Sequence, residues 1–256
     1  MNSMNKNSNP LITIITVVLN GDKNIEKTIK SVVDQSYNNI EYIIIDGAST
    51  DKTIDIIKQY EDQISFWISE SDNGIWDAMN KGLKYANGEI IGFLNSDDIY
   101  YPDTVSIVNK YFTNNKIDFL FGAVEKYKLM YGYKPWKIKW SFGFYTSHSV
   151  GFFIKTNKHR EVGLYNPKYL SADLDFFYKM INNFKMKGMA SKKNEIFGKF
   201  TKGGFASKVN YIDHLIDLNK IRIDNHQNII FVYFLFLIKI LKKPLKFLRS
   251  VLKKYY

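Results

Sequence analysis

The stretch GEIIGFLNSDDIYYPD, residues 88–103, runs an apolar segment directly into two adjacent carboxylates, Asp97 and Asp98, and then reaches Pro102. Like charges side by side at the end of a buried strand raise each other's pKa unless something positive lies beside them. A divalent cation answers that need. Mg2+ and Mn2+ prefer carboxylate oxygen and commonly take one or two protein carboxylates together with substrate phosphates. The local alternative is that the pair caps the helix starting near Pro102 or sits in a solvated turn. Asp46, in IDGASTDKT, is a second carboxylate at a strand end, followed by a glycine turn and hydroxyls. Its local alternative is a turn held by Asp46, with Ser49 or Thr50 capping the next helix. Taken together, the two sites suit a nucleotide: one carboxylate for ribose hydroxyls and base N–H groups, the other for a metal-bound diphosphate.

The elements that would position these groups follow from periodicity. LITIITVVL, residues 11–19, is a β-branched apolar run of the kind buried on both sheet faces, and Ile25, Ile29, Val32 and Val33 then recur at helical spacing. The unit repeats. IEYIIID ends at Asp46, and a helix with Ile54, Ile57 and Tyr60 on one face follows. ISFWIS, EIIGFL and DFLFGAVE read as further strands, with helices over residues 75–86 and from Pro102 to about Phe112. Alternating strands and helices with short connections require a mostly parallel sheet flanked by helices, and ligands of such sheets bind beyond the carboxyl ends of the strands. Asn20, Asp46 and Asp97 each follow an apolar run and so converge on that edge. Residues 126–155 are aromatic and basic without a clean period and read as loops and short strands. Helices return at SADLDFFYKMINNF, with Ser171 as cap, and at KVNYIDHLIDLNKIRID.

Composition narrows the chemistry. The chain has 256 residues, 45% hydrophobic and 16% aromatic, which is enough for a sizeable core. It has no cysteine and four histidines without an H-E-x-x-H, so Cys-based zinc sites and zinc hydrolase chemistry lack support. Neither a P-loop nor a G-x-G-x-x-G follows the first strand. The N-terminus, MNSMNKNSNP, has no apolar core of the signal-peptide type. The net charge is +11, yet seven Lys or Arg and no acid fall between Lys239 and the end. An excess gathered at one end predicts an anionic surface as partner, not nucleic acid.

Three stretches, TIITVVLNGDKNIEKTIKSVVDQSYNNIEYIIIDGASTDKTIDIIKQY, ESDNGIWDAMNKGLKYANGEIIGFLNSDD and SADLDFFYKM, resemble in order and spacing the family 2 glycosyltransferases of bacteria. The resemblance covers residues 10–210. It implies the GT-A (Rossmann-like) α/β fold, a nucleotide-sugar donor, most simply a UDP-sugar, and Mn2+ or Mg2+ as cofactor. It also implies donor contacts from Val18, Asn20, Asp46, Asp77, Asn95 and Ser96, metal ligation by Asp97 with Asp98 beside it, and Asp173 as catalytic base, with Asp175 as the alternative. Two positions depart from the family pattern. Asn95 stands where D-x-D begins with aspartate, and Met79 stands where many members carry arginine. A cation near the diphosphate would then come from Lys81 or from residues 199–202. KGGFAS, residues 202–207, resembles the family's glycine segment near the donor, while His148 reads as a packed histidine. An acceptor hydroxyl needs a carboxylate to take its proton as it attacks, and a single displacement inverts the anomeric centre.

The expected organisation is a nucleotide-sugar half over residues 10–125, an acceptor and base half over 126–210, and a basic helical tail over 211–256. In that tail Leu241, Leu245, Leu248, Leu252 and Tyr255 share a face beside Lys242, Lys246, Arg249 and Lys253, and Pro244 restarts or kinks the helix. The apolar run from Ile229 to Ile238 is too short to span a bilayer, so the tail reads as a membrane-associating extension or as a helix packed on protein. The acceptor would be a glycan or lipid-linked saccharide, used in building O-antigen, capsule or a related glycan at the inner face of the cytoplasmic membrane. Rival readings are a nucleotidyltransferase, a glycoside hydrolase and a non-catalytic nucleotide-binding scaffold.

Overall fold

In a computed structural model of the chain, residues 9–140, 149–201 and 209–255 are described. They form two compact units interleaved along the chain: residues 9–133, 149–164 and 186–201 in the first, and 134–140, 165–185 and 209–255 in the second.

The first unit is built on β1 (Ile12–Val18), buried at all seven positions. It pairs in parallel with β2 (Ile40–Asp46) on one side and β4 (Ile90–Phe93) on the other, and β2 pairs in parallel with β3 (Phe66–Ser69). Burial on both faces explains the unbroken apolar runs. On one face Ile14 and Ile44 join a core with Ile25, Ile29 and Val32 of α1 (Ile25–Val33) and Ile57 of α2 (Thr53–Gln59). On the other, Ile15 and Ile45 meet Gly82 of α3 (Ile75–Tyr85). The sheet continues beyond β4 through β9 (Phe152–Lys155), antiparallel to both neighbours, then β6 (Phe119–Phe121) and β10 (Gly188–Ala190). Its seven-strand order is β10-β6-β9-β4-β1-β2-β3.

A second sheet has the order β5-β11-β7-β8, formed by β5 (Ile99–Tyr100), β7 (Ala123–Glu125), β8 (Leu129–Met130) and β11 (Ile196–Lys199). DFLFGAVE, expected as one strand, is therefore two strands in different sheets. The division falls at Gly122, where a Cβ would lie 2.1 Å from Phe197 Cδ2, so that the backbone crosses the buried Phe197 ring where no side chain fits. The helix expected from Pro102 begins later, as α4 (Thr104–Asn114), with Pro102 in the preceding turn. The described part of the segment without clear period, residues 126–155, holds the short strands β8 and β9, as expected, and one short helix, α5 (Lys137–Trp140); α6 (Thr156–Val162) follows it.

In the second unit α7 (Ala172–Tyr178) passes into a π-helical turn over Lys179–Asn183, where one α-helix was expected. Ser171 stands at its N-cap without a side-chain capping bond; its Oγ lies 3.3 Å from His214 Nδ1. Leu174, Phe177 and Ile181 are buried as their spacing predicts. α8 (Tyr211–Asp224) is capped by the Asn210 side chain and packs with α7, α9 (Ile229–Lys242) and α10 (Pro244–Tyr255). Pro244 opens the last helix at its first position, where its missing N–H costs nothing. Asp175, fully buried, accepts from Lys179 Nζ at 2.7 Å and Asn225 Nδ2 at 2.7 Å, tying α7 to the end of α8.

Gly122→Ala should force the Phe197 ring to move, with a cost of about 1–3 kcal/mol. The melting temperature followed by circular dichroism should fall by about 2–4 °C per kcal/mol in a chain of this size. An unchanged melting temperature would show that the crossing has room to spare.

Candidate functional site at the carboxyl edge of the parallel strands

The order β4-β1-β2 sets three strand ends side by side, and β1 connects onward to β2 while β4 lies on its other side. This is a topological switch point, where loops diverge and leave a crevice. At the end of β1, Val18 is buried and its carbonyl accepts the Gly47 N–H at 2.8 Å, which fastens the exits of β1 and β2 together. Asn20 follows, exposed, in the left-handed region at φ 51°, which asparagine tolerates. Its Oδ1 accepts the Thr50 N–H at 2.9 Å and its own N–H donates to Ser49 Oγ at 2.7 Å. Gly21 lies so close to Val18 Cγ2 and Ser96 Oγ that a Cβ would stand 2.6 and 3.5 Å from them, and so the β1 and β4 loops touch here.

Asp46 is fully buried. Its Oδ2 accepts the Ser49 N–H at 2.9 Å and the Ser69 hydroxyl at 2.6 Å, while Oδ1 accepts the Ser49 hydroxyl. Both oxygens thus organise the turn. Ser49 and Thr50 do not cap α2, as the local reading would have it: Asp51 Oδ1 takes the Thr53 N–H, and Thr53 Oγ1 takes the Gly21 N–H.

The β4 exit carries Asn95, Ser96, Asp97 and Asp98, held by a polar stripe on α1. Thr28 Oγ1 shares its proton between the carbonyls of Ser96 at 3.0 Å and Asp98 at 2.8 Å. Ser31 Oγ accepts the Tyr100 N–H, and Gln35 bridges Tyr101 O and the Val105 N–H. Thr28 and Ser31, three residues apart, share one face of α1, and Gln35 joins them from just beyond the helix end, a signal available in the sequence but overshadowed by the apolar stripe.

The two carboxylates are not equivalent. Asp97 is half-buried, whereas Asp98 is fully buried with Oδ1 accepting the Thr201 N–H at 2.9 Å. Burial raises the pKa of both. For Asp98 it reaches about 8, through burial first and then the Asp97 charge, against the opposing Thr201 N–H and Lys126. Asn95 donates from Nδ2 to Ser149 Oγ at 3.1 Å, and among the described residues its buried Oδ1 has no hydrogen-bond partner. The half-buried Asp97 carboxylate and, two residues before it, the idle amide oxygen of Asn95 form a hard-oxygen set that fits Mg2+ or Mn2+. Among the described residues no group of three or more His, Cys, Asp or Glu gathers for a metal, so the remaining ligands would be substrate oxygens and water.

At the start of α3, half-buried Asp77 accepts the Asn73 N–H at 3.0 Å, and Gly74 precedes it at φ 103°. Met79 is buried and fills the core. The ammonium of Lys81 is committed to Glu70 Oε1 at 2.8 Å and Ser71 O at 2.7 Å, so it is not a spare cation for a diphosphate. Lys199 is exposed on β11. His148 and the KGGFAS segment lie outside the described residues.

Asp173 belongs to the second unit, half-buried in the first turn of α7, with Oδ1 accepting the Leu174 N–H at 2.9 Å. The turn that presents it is clamped by Asp217 of α8, whose two oxygens accept the N–H groups of Leu170 at 2.9 Å and Ser171 at 2.8 Å. Asp217 escaped sequence reading because its partners are backbone groups far away in the chain. Asp175, with its carboxylate buried and doubly engaged, is a structural residue of this unit.

Comparison with known proteins agrees with this architecture. The model for Glycosyl transferase family 2 matches residues 13–172. The uncharacterized glycosyltransferase Rv1514c of Mycobacterium tuberculosis H37Rv is 39% identical over 101 residues, 39% of this chain and 38% of its own. TuaG of Bacillus subtilis 168, a glycosyltransferase assigned to teichuronic acid biosynthesis, is 42% identical over 100 residues, 38% of this chain and 40% of its own. The matched stretch thus spans about two fifths of the length of these relatives. Among solved structures, S. aureus TarS 1–349 in complex with UDP-GlcNAc superposes with a TM-score of 0.67 at 16% identity, over 83% of this chain and 66% of TarS 1–349. The mannosyltransferase PcManGT of Pyrobaculum calidifontis, in complex with GDP-Man and Mn2+, gives 0.66 at 16%, over 87% and 66%. At that identity the likeness speaks for the fold, which is of the GT-A type. Since the family match runs from β1 to the first residue of α7, well over half of the sequence, the chain belongs to glycosyl transferase family 2.

Proposed function

We propose that this chain transfers a sugar from a UDP-sugar to a hydroxyl of a glycan or lipid-linked saccharide, with inversion, in cell-surface glycan synthesis. The observation that carries the reading is the convergence of the Val18–Asn20, Asp46–Ser49 and Asn95–Asp98 segments on one switch-point crevice of a parallel sheet. Family membership and the teichuronic acid assignment of TuaG support the glycan class, and the UDP-GlcNAc bound to TarS supports the donor class.

In this reading Val18, Asn20, Asp46, Asp77, Asn95 and Ser96 shape the donor side. Asp46 acts mainly by holding the turn, since both its oxygens are already occupied. Asp97 and the Asn95 amide oxygen would hold the cation, and Asp98 would set the Asp97 loop through Thr201. A bound divalent cation supplies positive charge against the leaving diphosphate. Asp173 takes the acceptor proton, and Asp217 is its positioning residue.

Calorimetric titration with UDP should show binding in Mn2+ that is lost in EDTA and weakened at least about tenfold in Asp97→Asn, because hard cations need the carboxylate. Asp173→Asn should leave that binding unchanged while lowering transfer, read as UDP release from a UDP-sugar with acceptor, by about 100-fold or more. Equal loss of UDP affinity in both variants would remove Asp173 from the role of base, and absence of UDP or GDP binding under every condition would overturn the donor site.

The Asp98 carboxyl, pushed up to about 8, gives a second test in EDTA. The folded protein keeps a proton there that the unfolded chain gives up near its ordinary value of about 3.9. The stability this contributes is therefore full below that value and drains away as pH rises through about 8, by on the order of a few kcal/mol. Urea unfolding across this range should show the decline, and Asp98→Asn should flatten it.

A further inference from the structure

α9 and α10 leave a large apolar surface uncovered. Ile230, Tyr233, Phe234 and Leu237 of α9 are 54–77% exposed, and their i, i+3, i+4, i+7 spacing makes them one face. Leu241, at 68%, continues into Leu245, Leu248 and Leu252 of α10, each more than half exposed. The opposite side of each helix is already used. Val232 and Leu235 are buried, and Ser250 is buried with its Oγ accepting the Ile212 N–H at 2.9 Å and its carbonyl accepting from Asn210 Nδ2 at 3.1 Å. That anchor on the start of α8 fixes the rotation of α10 and turns its leucines outward.

Beside the leucine stripe runs a cationic one. Lys242, Lys246, Arg249 and Lys253 each follow a stripe leucine by one residue, all are exposed, and Lys246 Nζ lies 4.7 Å above the Tyr211 ring. No Asp or Glu occurs from Ile229 to the end. Two copies meeting through this surface would bring like charges together, which is costly. A bilayer containing anionic lipid complements both stripes at once: leucines and aromatics enter the acyl boundary and the cations stay among the headgroups. The helices have 14 and 12 residues, about 21 and 18 Å at the α-helical rise, short of the hydrocarbon thickness of about 30 Å. Among the described residues no helix is long and apolar enough to cross a membrane, so the contact would lie in the plane of the interface.

We propose that the outward faces of α9 and α10 form a docking surface for anionic lipid bilayers. This goes beyond the proposed sugar transfer and does not depend on it. Flotation of the full chain with vesicles of phosphatidylcholine, or of an equal mixture of phosphatidylcholine and phosphatidylglycerol, tests it. The mixed vesicles should bind the protein at least about tenfold more tightly, with the difference shrinking as salt is raised. The quadruple variant Lys242→Gln, Lys246→Gln, Arg249→Gln, Lys253→Gln should lose about tenfold or more of that affinity. Leu245→Gln with Leu248→Gln should lose a similar amount, while both variants keep the wild-type circular dichroism. Equal binding of wild type and variants, no flotation of the wild type, or a wild-type dimer that the leucine variant dissociates without any vesicle binding would each overturn the proposal. UDP titration of the same variants is a separate readout, so failure of the donor site and failure of the lipid surface are told apart.

Discussion

A carboxylate taken out of water must be met by donors, and at Asp46 that demand draws the carboxyl edge of the sheet together. Ser69 reaches it from the end of β3, and Ser49 reaches it with both backbone and hydroxyl from the turn before α2. Because Ser49 Oγ also accepts the Asn20 N–H, the exit of β1 is registered against the same group. The adjacent backbone bond from Gly47 to Val18 completes the seam. Three loops that would otherwise move independently thus share one buried anchor, and the exposed side of the seam is left for a ligand.

The Asn95–Asp98 loop is positioned by a second device. Here α1 and the residue just past it do the holding: the hydroxyls of Thr28 and Ser31 and the amide of Gln35 satisfy carbonyls and N–H groups of a segment that has no ladder of its own between β4 and β5. Asp98, turned inward, gives its oxygen to Thr201, while Asp97 keeps contact with solvent. Adjacent identical residues have separate duties because Asp97 lies within the turn that the Asp98 N–H closes on Asn95 O at 3.0 Å, whereas Asp98 stands at its inner end. The second unit repeats the logic at Asp173, where Asp217 satisfies two backbone donors and so fixes the turn ahead of α7.

What the sequence makes legible is what depends on neighbours. The buried strands β1 and β2, the faces of α1 and α7 and the restart at Pro244 all follow from local periodicity and turn chemistry. The split at Gly122 does not, because its cause is the Phe197 ring, and the inward turn of Asp98 does not, because its partner is Thr201. Capping fails for the same reason. Ser49 and Ser171 look like helix caps to a local reading, but tertiary partners claim their hydroxyls, Asp46 in one case and His214 in the other. The departures at Asn95 and Met79 are visible as residue types, yet only burial shows that the first leaves an idle oxygen and the second is core.

The small sheet carries a consequence for the order of assembly. β5, which follows Asp98 directly, finds its partner in β11, and the carbonyl of Phe197 accepts from both the Tyr101 N–H and the Thr104 hydroxyl. β1 to β4, whose carboxyl ends form the crevice, are all made within the first hundred residues and can pair as soon as they leave the ribosome. The loop bearing Asp97 and Asp98 must wait for a strand synthesised about a hundred residues later, a closure whose entropy is met only when the late strand docks. A nascent or proteolytically shortened chain lacking β11 and Thr201 would therefore keep the α1 contacts of the carboxylate loop but lack the partners of β5 and of the Asp98 carboxylate, so that the final setting of Asp98 is tied to completion of the fold around it.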